Sequence, residues 1–542
     1  MDTNLFQAIC NAGSVDDPAI LYEQRQISYG ELRNQALDMA RVLRLLEVRS
    51  GDRVALLLAD SPEFVGTFIA VCSYGAIAVP INMGLRLDEQ RAILNDCSAS
   101  LAFVEEDLSQ ALLADALKKL PDLKQVVVVG REQRRQKLAS EPRRGDAEAA
   151  SQVSITNQFL TDVIAQSRSQ STPAFVSSAD DQAAFILYTS GSTGEPKGAV
   201  HRQSDIFYTN ETYCHEVLRL REGDRLFSSS RLPFAYGLGN AFTFPLLNGR
   251  TTILCREKPT PEIISKVFAD YRPTIFFGVP VVYRLLLDEF NKQSNSVVDC
   301  SSLRLCISAG EALPAPLGEE WEKTFGVPIL DGIGSTEMLH MWMSNHEGEN
   351  VYGSSGRLLG GYEARLLDPE GKTVTAGVEG NLWVKGASAA LEYWQRTETT
   401  QNTFVEGWVR TGDLYRQDTQ GYWFHMGRSD DCFKSSGQWV SPVEVEGVLL
   451  RQEGVNRVAV VEDFDDDGLP CACAFVVRST TPGGIGLERS LRELARASLP
   501  RFKRPRRYVF VDQLPYTATG KIQRFKLRER LKTGPSPNVP MQ

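Results

Sequence analysis

At 542 residues the chain is too long for one small hydrophobic core, and its 42% hydrophobic and 23% charged content is ordinary globular usage. A formal net charge of −9 argues against nucleic acid as a partner, because domains that bind it are usually basic. No stretch approaches the ~20 apolar residues of a membrane span, and the first residues lack a basic and then apolar leader, so a cytoplasmic protein with no membrane partner is expected. The ten cysteines are scattered without a C-x-x-C pair, which reads as reduced, buried thiols.

In chain order, helical spacing over 31–46 precedes a buried strand over 54–58. Ser61-Pro62 opens a helix over 63–73, and a second strand follows over 76–81. This alternation predicts a parallel sheet covered by helices. Residues 130–175 are polar and low in aromatics, which reads as a surface excursion. The apolar run 183–187 then enters Tyr188-Thr189-Ser190-Gly191-Ser192-Thr193-Gly194-Glu195-Pro196-Lys197-Gly198. Glycines let a backbone approach closely, and successive N–H groups with hydroxyls can donate to phosphate oxygens. The segment is not a Walker A loop, since Gly198 rather than Ser or Thr follows Lys197. Its alternative, a solvated linker, is disfavoured by the buried run that leads into it.

A second α/β unit is expected after this loop, with strands over 274–277, 303–307 and 327–330 and helices opened by Pro280 and Pro314. Ligands of such sheets sit beyond the carboxyl ends of the strands. That position falls to Gly278-Val279, to Ser308-Ala309-Gly310-Glu311, and to Asp331-Gly332-Ile333-Gly334-Ser335-Thr336-Glu337. Short strands over 350–425 suggest a small antiparallel subdomain, and 427–431 a junction. Beyond it an α+β module is expected, with a helix from Pro442, strands over 458–461 and 472–477 and a helix over 491–497. The Pro-containing tail is expected to be disordered. The boundaries are 1–429, 430–532 and 533–542.

Glu337 can hold Mg²⁺ beside a triphosphate, with Thr336 donating to phosphate, or simply cap a helix. Asp413 in Arg410-Thr411-Gly412-Asp413 can accept two ribose hydroxyls or form an Asx-turn. Asp463–Gly468 imitates half an EF-hand loop, but Ala474 stands where the bidentate Glu belongs, so a charged hairpin turn is expected. The five cations within Arg501–Arg507 either contact a cofactor's phosphates or form a solvated face.

The motifs 188–198, 334–337, 411–413, 427–431 and Thr519-Gly520-Lys521 have the order and spacing of the adenylate-forming acyl-CoA ligase superfamily, which the whole chain resembles. Leu232-Pro233-Phe234-Ala235-Tyr236-Gly237-Leu238-Gly239-Asn240 and 331–340 resemble its benzoate-CoA ligase branch. The resemblance implies an α/β fold: a large N-terminal domain of two α/β sheet units plus a small antiparallel β subdomain, and a small mobile α+β C-terminal domain. It implies substrates ATP with Mg²⁺, coenzyme A and a small aromatic acid, benzoate or a simple derivative such as anthranilate. A carboxylate would attack the α-phosphate, and the thiol of coenzyme A would then take the acyl group from acyl-AMP. The alternative acceptor is a carrier protein. Lys521 becomes the catalytic cation, with Thr336 and Glu337, the latter as metal ligand. Thr189, Ser190, Gly191, Ser192, Thr193, Gly194 and Lys197 take the phosphates. Ala309, Gly310, Glu311, Asp331, Gly332 and Ile333 take the adenine, and Asp413 and Arg428 the ribose. Ala235, Tyr236, Gly334, His340 and Met341 form the acid pocket, with Gly334 leaving room for a flat ring. His340 is either a core histidine or a partner of a ring substituent. Asp430 is the hinge, Gly437 lines the coenzyme A tunnel, and the enzyme is a monomer or homodimer.

Overall fold

The computed structural model describes residues 4–113, 120–130, 156–177, 181–190, 196–292, 298–465, 467–479, 486–516 and 522–533. Two large sheets dominate. The first has eight strands, with Ala183–Ser190, Ile77–Pro80, Arg53–Leu57, Leu101–Glu105, Gln125–Val129 and Thr156–Phe159 parallel in that spatial order. Pro196–Arg202 and then Glu392–Tyr393 add antiparallel at one edge. Its central strands are apolar runs, buried along almost their whole length.

Local chemistry accounts for the helix starts. Ser28 and Glu31 form a reciprocal capping box at Tyr29–Leu45, and Ser61 caps Pro62–Tyr74 with proline in the first turn. Gly75, at φ +89°, ends the second helix in the left-handed conformation that a side chain would resist.

The second sheet has nine strands. Ile329–Gly334, Leu305–Ser308, Ile275–Gly278, Arg225–Ser228, Thr251–Ile253 and Pro18–Tyr22 run parallel, in that order. The N-terminal strands Pro18–Tyr22 and Arg25–Ser28 thus belong to this sheet, which corrects the expectation of a second unit built only from residues after the glycine-rich loop. A five-stranded antiparallel sheet follows, including Glu379–Lys385, Trp408–Gln417 and Trp423–Arg428.

Residues from Phe433 onward form a smaller α+β unit. Its core sheet is Val455–Phe464, Pro470–Arg478 and Arg507–Val511, covered by helices Pro442–Leu449, Leu487–Ser498 and Arg524–Thr533. Four of the five cations in Arg501–Arg507 are engaged within this unit. Arg506 pairs with Asp465, Arg507 with Asp463 and Lys503 with Glu444, while Arg504 donates to the carbonyls of Leu499 and Arg496. The EF-hand look-alike is the charged turn between two strands, with Asp465 accepting from Leu469 N–H.

Two expectations are corrected. The surface excursion over 130–175 contains the edge strand Thr156–Phe159 and the helix Leu160–Ser167, whose Leu160 and Val163 enter the main core. At the sheet's edge this strand is exposed, with Asn157 and Phe159 at the surface, so its polar composition concealed it. Gly427 and Arg428, read as a junction, are the end of a strand in register with Leu414 and Asp413. The tail from 534 onward lies outside the described residues. Among the described residues, no helix is long and apolar enough to cross a membrane, and all ten cysteines are free.

Candidate active site

Three neighbouring parallel strands of the nine-stranded sheet end at Gly278, Ser308 and Gly334, so the loops that follow them converge at one crevice. Ala309 is buried and Gly310 takes φ +90°, turning the chain away from its strand. Asp331 braces that loop from below: its Oδ2 accepts from Leu313 N–H at 3.2 Å, and its carbonyl accepts from Asn345 Nδ2 at 3.0 Å. Burial pushes the Asp331 carboxyl up to about 8, against the Leu313 and Gly332 N–H groups and the Ser308 hydroxyl, which favour its charged form.

Gly332, Ile333 and Gly334 pair antiparallel with Met341–Ser344. A Cβ at Gly334 would stand 2.6 Å from the His340 carbonyl oxygen, and one at Gly332 would stand 2.8 Å from Met341 Sδ. The glycine at 334 is therefore required by strand contact. Gly334→Ala is expected to cost about 1–3 kcal/mol, as overpacking does. A lowered thermal midpoint together with lost activity checks this.

Leu339 at φ +63° and a hydrogen bond from its N–H to the Thr336 carbonyl (3.1 Å) close a tight turn over Ser335–Leu339. Glu337 therefore caps no helix. Its Oε1 accepts from Tyr393 OH at 2.6 Å, and its carbonyl accepts from Ala390 N–H at 2.8 Å. Lys197 Nζ lies 5.8 Å from the centre of the Tyr393 ring. One tyrosine thus stands between the lysine of the glycine-rich hairpin and the carboxylate of the facing sheet. Thr189 and Ser190 pair in register with Lys197 and Pro196, so the two strands flanking the glycine-rich segment are antiparallel neighbours. Gly191, Ser192, Thr193 and Gly194 lie outside the described residues.

Asp413 sits within a strand opposite Arg428, so it is not an Asx-turn. Its Oδ1 is 3.4 Å from Arg428 Nη1 and 3.5 Å from His425 Nε2. Gly412, at φ +75°, allows this approach, since a Cβ there would meet Arg428 Nη2 at 2.7 Å. Arg428 also reaches Asp430, Nε to Oδ1 at 3.3 Å. The next residue changes allegiance: Asp431 pairs with Arg528 at 2.9 Å and Arg524 at 3.8 Å, both on the C-terminal helix. Gly437 lies between two short paired strands, Phe433–Ser435 and Gln438–Val440. With Ser436 it makes a two-residue hairpin turn, both at positive φ, and a Cβ on Gly437 would meet nothing within 4 Å.

Lys521 lies outside the described residues. Its chain neighbour Ile522 donates its N–H to Glu311 Oε1 at 3.0 Å, which ties the C-terminal unit to the crevice loop.

Ala235, Met341 and His340 are buried, and Tyr236 is partly so, its hydroxyl donating to the carbonyls of Ile307 (3.2 Å) and Gly278 (3.3 Å). His340 packs among Tyr213, Phe244 and Tyr236, with ring centres 4.6, 4.7 and 5.8 Å away. Burial pushes its pKa down to about 3, so it is neutral at physiological pH, and its Nε2 faces Asn240 Oδ1 at 3.2 Å. This is the packing of a core histidine.

Tyr393 and His201, the latter buried 2.7 Å from the Thr336 carbonyl, escaped the sequence reading. Each meets its partner across 56 or 135 residues of chain. Only the proximity of His201 to Lys197 in sequence offered a signal.

Residues 6–394 match the family of AMP-binding enzymes, and residues 444–521 match the AMP-binding enzyme C-terminal domain. The chain is 41% identical over 509 residues to a benzoate–CoA ligase of Thauera aromatica, covering 92% of this chain and 90% of that one. It is 32% identical to an anthranilate–CoA ligase of Pseudomonas aeruginosa, over 99% and 98% of the two chains. The crystal structure of the anthranilate CoA ligase AuaEII in complex with anthranoyl-AMP resembles this fold with a TM-score of 0.88 at 35% identity, covering 98% of each chain. The chain belongs to the AMP-binding enzyme family, in the branch that contains these benzoate– and anthranilate–CoA ligases.

Proposed function

We propose that this protein is an ATP-dependent aryl-CoA ligase that activates benzoate or a simple derivative such as anthranilate as its acyl adenylate and passes the acyl group to coenzyme A. The observation that carries this reading is the convergence of Lys197, Tyr393 and Glu337 from two sheets onto the crevice where Glu311 holds the C-terminal unit.

A free carboxylate is a poor acceptor for a thiol because its leaving group would be an oxide. Attack on the α-phosphate of ATP replaces that oxide with AMP and releases pyrophosphate. The first step brings two anions together, so positioned cations dominate its barrier. Lys197 and the hairpin's N–H groups would hold the phosphates, and Lys521 would neutralise charge where the two anions meet. Magnesium enters with ATP as part of the substrate. It prefers one or two carboxylates plus phosphate oxygens, and Glu337, braced by Tyr393, fits that donor set. Asp413, fixed by Arg428, is an acceptor for ribose hydroxyls. The buried Ala235 and Met341 and the partly buried Tyr236 would line an apolar slot suited to a flat ring.

The thiol step requires a second arrangement. Asp430 sits where ionic partners switch from the large domain to the C-terminal helix, the position a hinge needs. Rotation about it would withdraw Lys521 and bring the Gly437 turn to the coenzyme A path.

An ATP–pyrophosphate exchange screen over benzoate, its amino and hydroxy derivatives and hexanoate tests the acid. Benzoate or 2-aminobenzoate is expected to drive the fastest exchange, and fastest exchange with hexanoate would rule out the aryl slot. Offering free coenzyme A against a phosphopantetheinylated carrier protein tests the acceptor, with free coenzyme A expected to be preferred.

A further inference from the structure

We propose that His201 is a positioning residue for the adenylation step, donating a hydrogen bond to the backbone carbonyl of Thr336 and so fixing the Thr336–Glu337 segment against the strand that carries Lys197. This rests on the reading above that Glu337 faces a magnesium triphosphate.

His201 is fully buried, and both of its ring nitrogens are engaged. Nδ1 lies 2.9 Å from Asp205 Oδ2, and Nε2 lies 2.7 Å from the Thr336 carbonyl oxygen. A carbonyl oxygen only accepts. Asp205 also accepts, because Arg202 donates to it from its backbone N–H at 3.1 Å and from Nε at 2.9 Å. The Thr336 carbonyl therefore takes its hydrogen bond from Nε2, while Asp205 holds the other side of the ring. The ring bridges two elements, stacked on Phe185 with ring centres 5.3 Å apart.

The same strand fixes the other side of the turn. Arg202 Nη2 donates to the carbonyls of Ala389 (2.9 Å) and Ala387 (3.1 Å). The segment that they orient supplies Ala390 N–H to the Glu337 carbonyl and Ser388 Oγ to the Met338 carbonyl at 2.9 Å. It continues into Tyr393, which holds the Glu337 carboxylate. The strand Pro196–Arg202 therefore carries a phosphate-facing lysine at one end and, at the other, the two side chains that fix Thr336 directly and Glu337 through its neighbours. Partners placed behind a metal-binding carboxylate control its orientation, and hence the affinity for the metal.

The test uses the full chain and a non-hydrolysable ATP analogue, with binding measured by calorimetry with and without magnesium. The gain in affinity that magnesium confers is expected to fall about tenfold or more in His201→Phe, while magnesium-free affinity stays within about twofold. His201→Gln, which retains an N–H for the Thr336 carbonyl, is expected to keep most of that gain. A full gain in His201→Phe would overturn the proposal, as would equal losses in both variants, because packing alone would then explain the residue. Glu337→Gln separates the two readings. If it keeps the full gain, the assignment of the magnesium site is wrong; if it alone loses the gain, only the role of His201 fails. Should His201→Phe not fold, nitrogen-15 histidine spectra of the unsubstituted protein decide. The chain has five histidines, so comparison with His201→Gln identifies the ring. An exchange-protected Nε2–H signal is expected, and a ring without hydrogen on Nε2 would overturn the proposal.

Discussion

Lys521→Ala is expected to lower acid-dependent ATP–pyrophosphate exchange about 10²–10³-fold, equivalent to roughly 3–4 kcal/mol, the scale seen when one positioned donor is lost from a charged transition state. Thiolation of supplied acyl-AMP is expected to remain largely intact. The asymmetry follows from charge. Adenylation joins a carboxylate to a polyanion, whereas the thiol step attacks an acyl group whose leaving group is already in place. A cation is indispensable to the first and dispensable to the second. The Ile522–Glu311 hydrogen bond places the chain next to Lys521 at the crevice, the arrangement adenylation needs. Single-turnover assays of each half-reaction check this. Equal loss in both would refute two working arrangements divided at Asp430.

Asp331→Asn is expected to flatten the dependence of stability on pH. Burial pushes the folded carboxyl from its ordinary 3.8 up to about 8, so between those values the folded protein binds a proton that the unfolded chain releases. Stability therefore falls as pH rises through that window, by up to about 1.4 kcal/mol per pH unit, and levels off above the folded value. An amide cannot ionise, and it can still pair with the Ser308 hydroxyl. Thermal midpoints taken from about pH 5 to pH 9 should then decline less steeply in the variant than in the parent. Parallel curves would show that Asp331 ionises freely in the folded state.

The sequence by itself determined what short-range chemistry controls. Ser61 with Pro62, the prolines at 280, 314 and 442, and the left-handed Gly75 each set a helix boundary through atoms a few residues away. The apolar runs gave most central strands, and the spacing of the glycines, Glu337, Asp413 and Lys521 gave the class of chemistry. Only the tertiary structure decided which sheet the strands at Pro18–Tyr22 and Glu392–Tyr393 would join, since strand pairing depends on edges left open elsewhere. It also decided that Gly334 answers to a backbone oxygen 2.6 Å away, that His340 is packed as a neutral core residue, and that Tyr393 and His201 hold the Thr336–Glu337 turn. Those contacts join residues far apart in the chain. A side chain's identity records its own chemistry, whereas the group it meets across 135 residues is fixed only when the sheets close on each other.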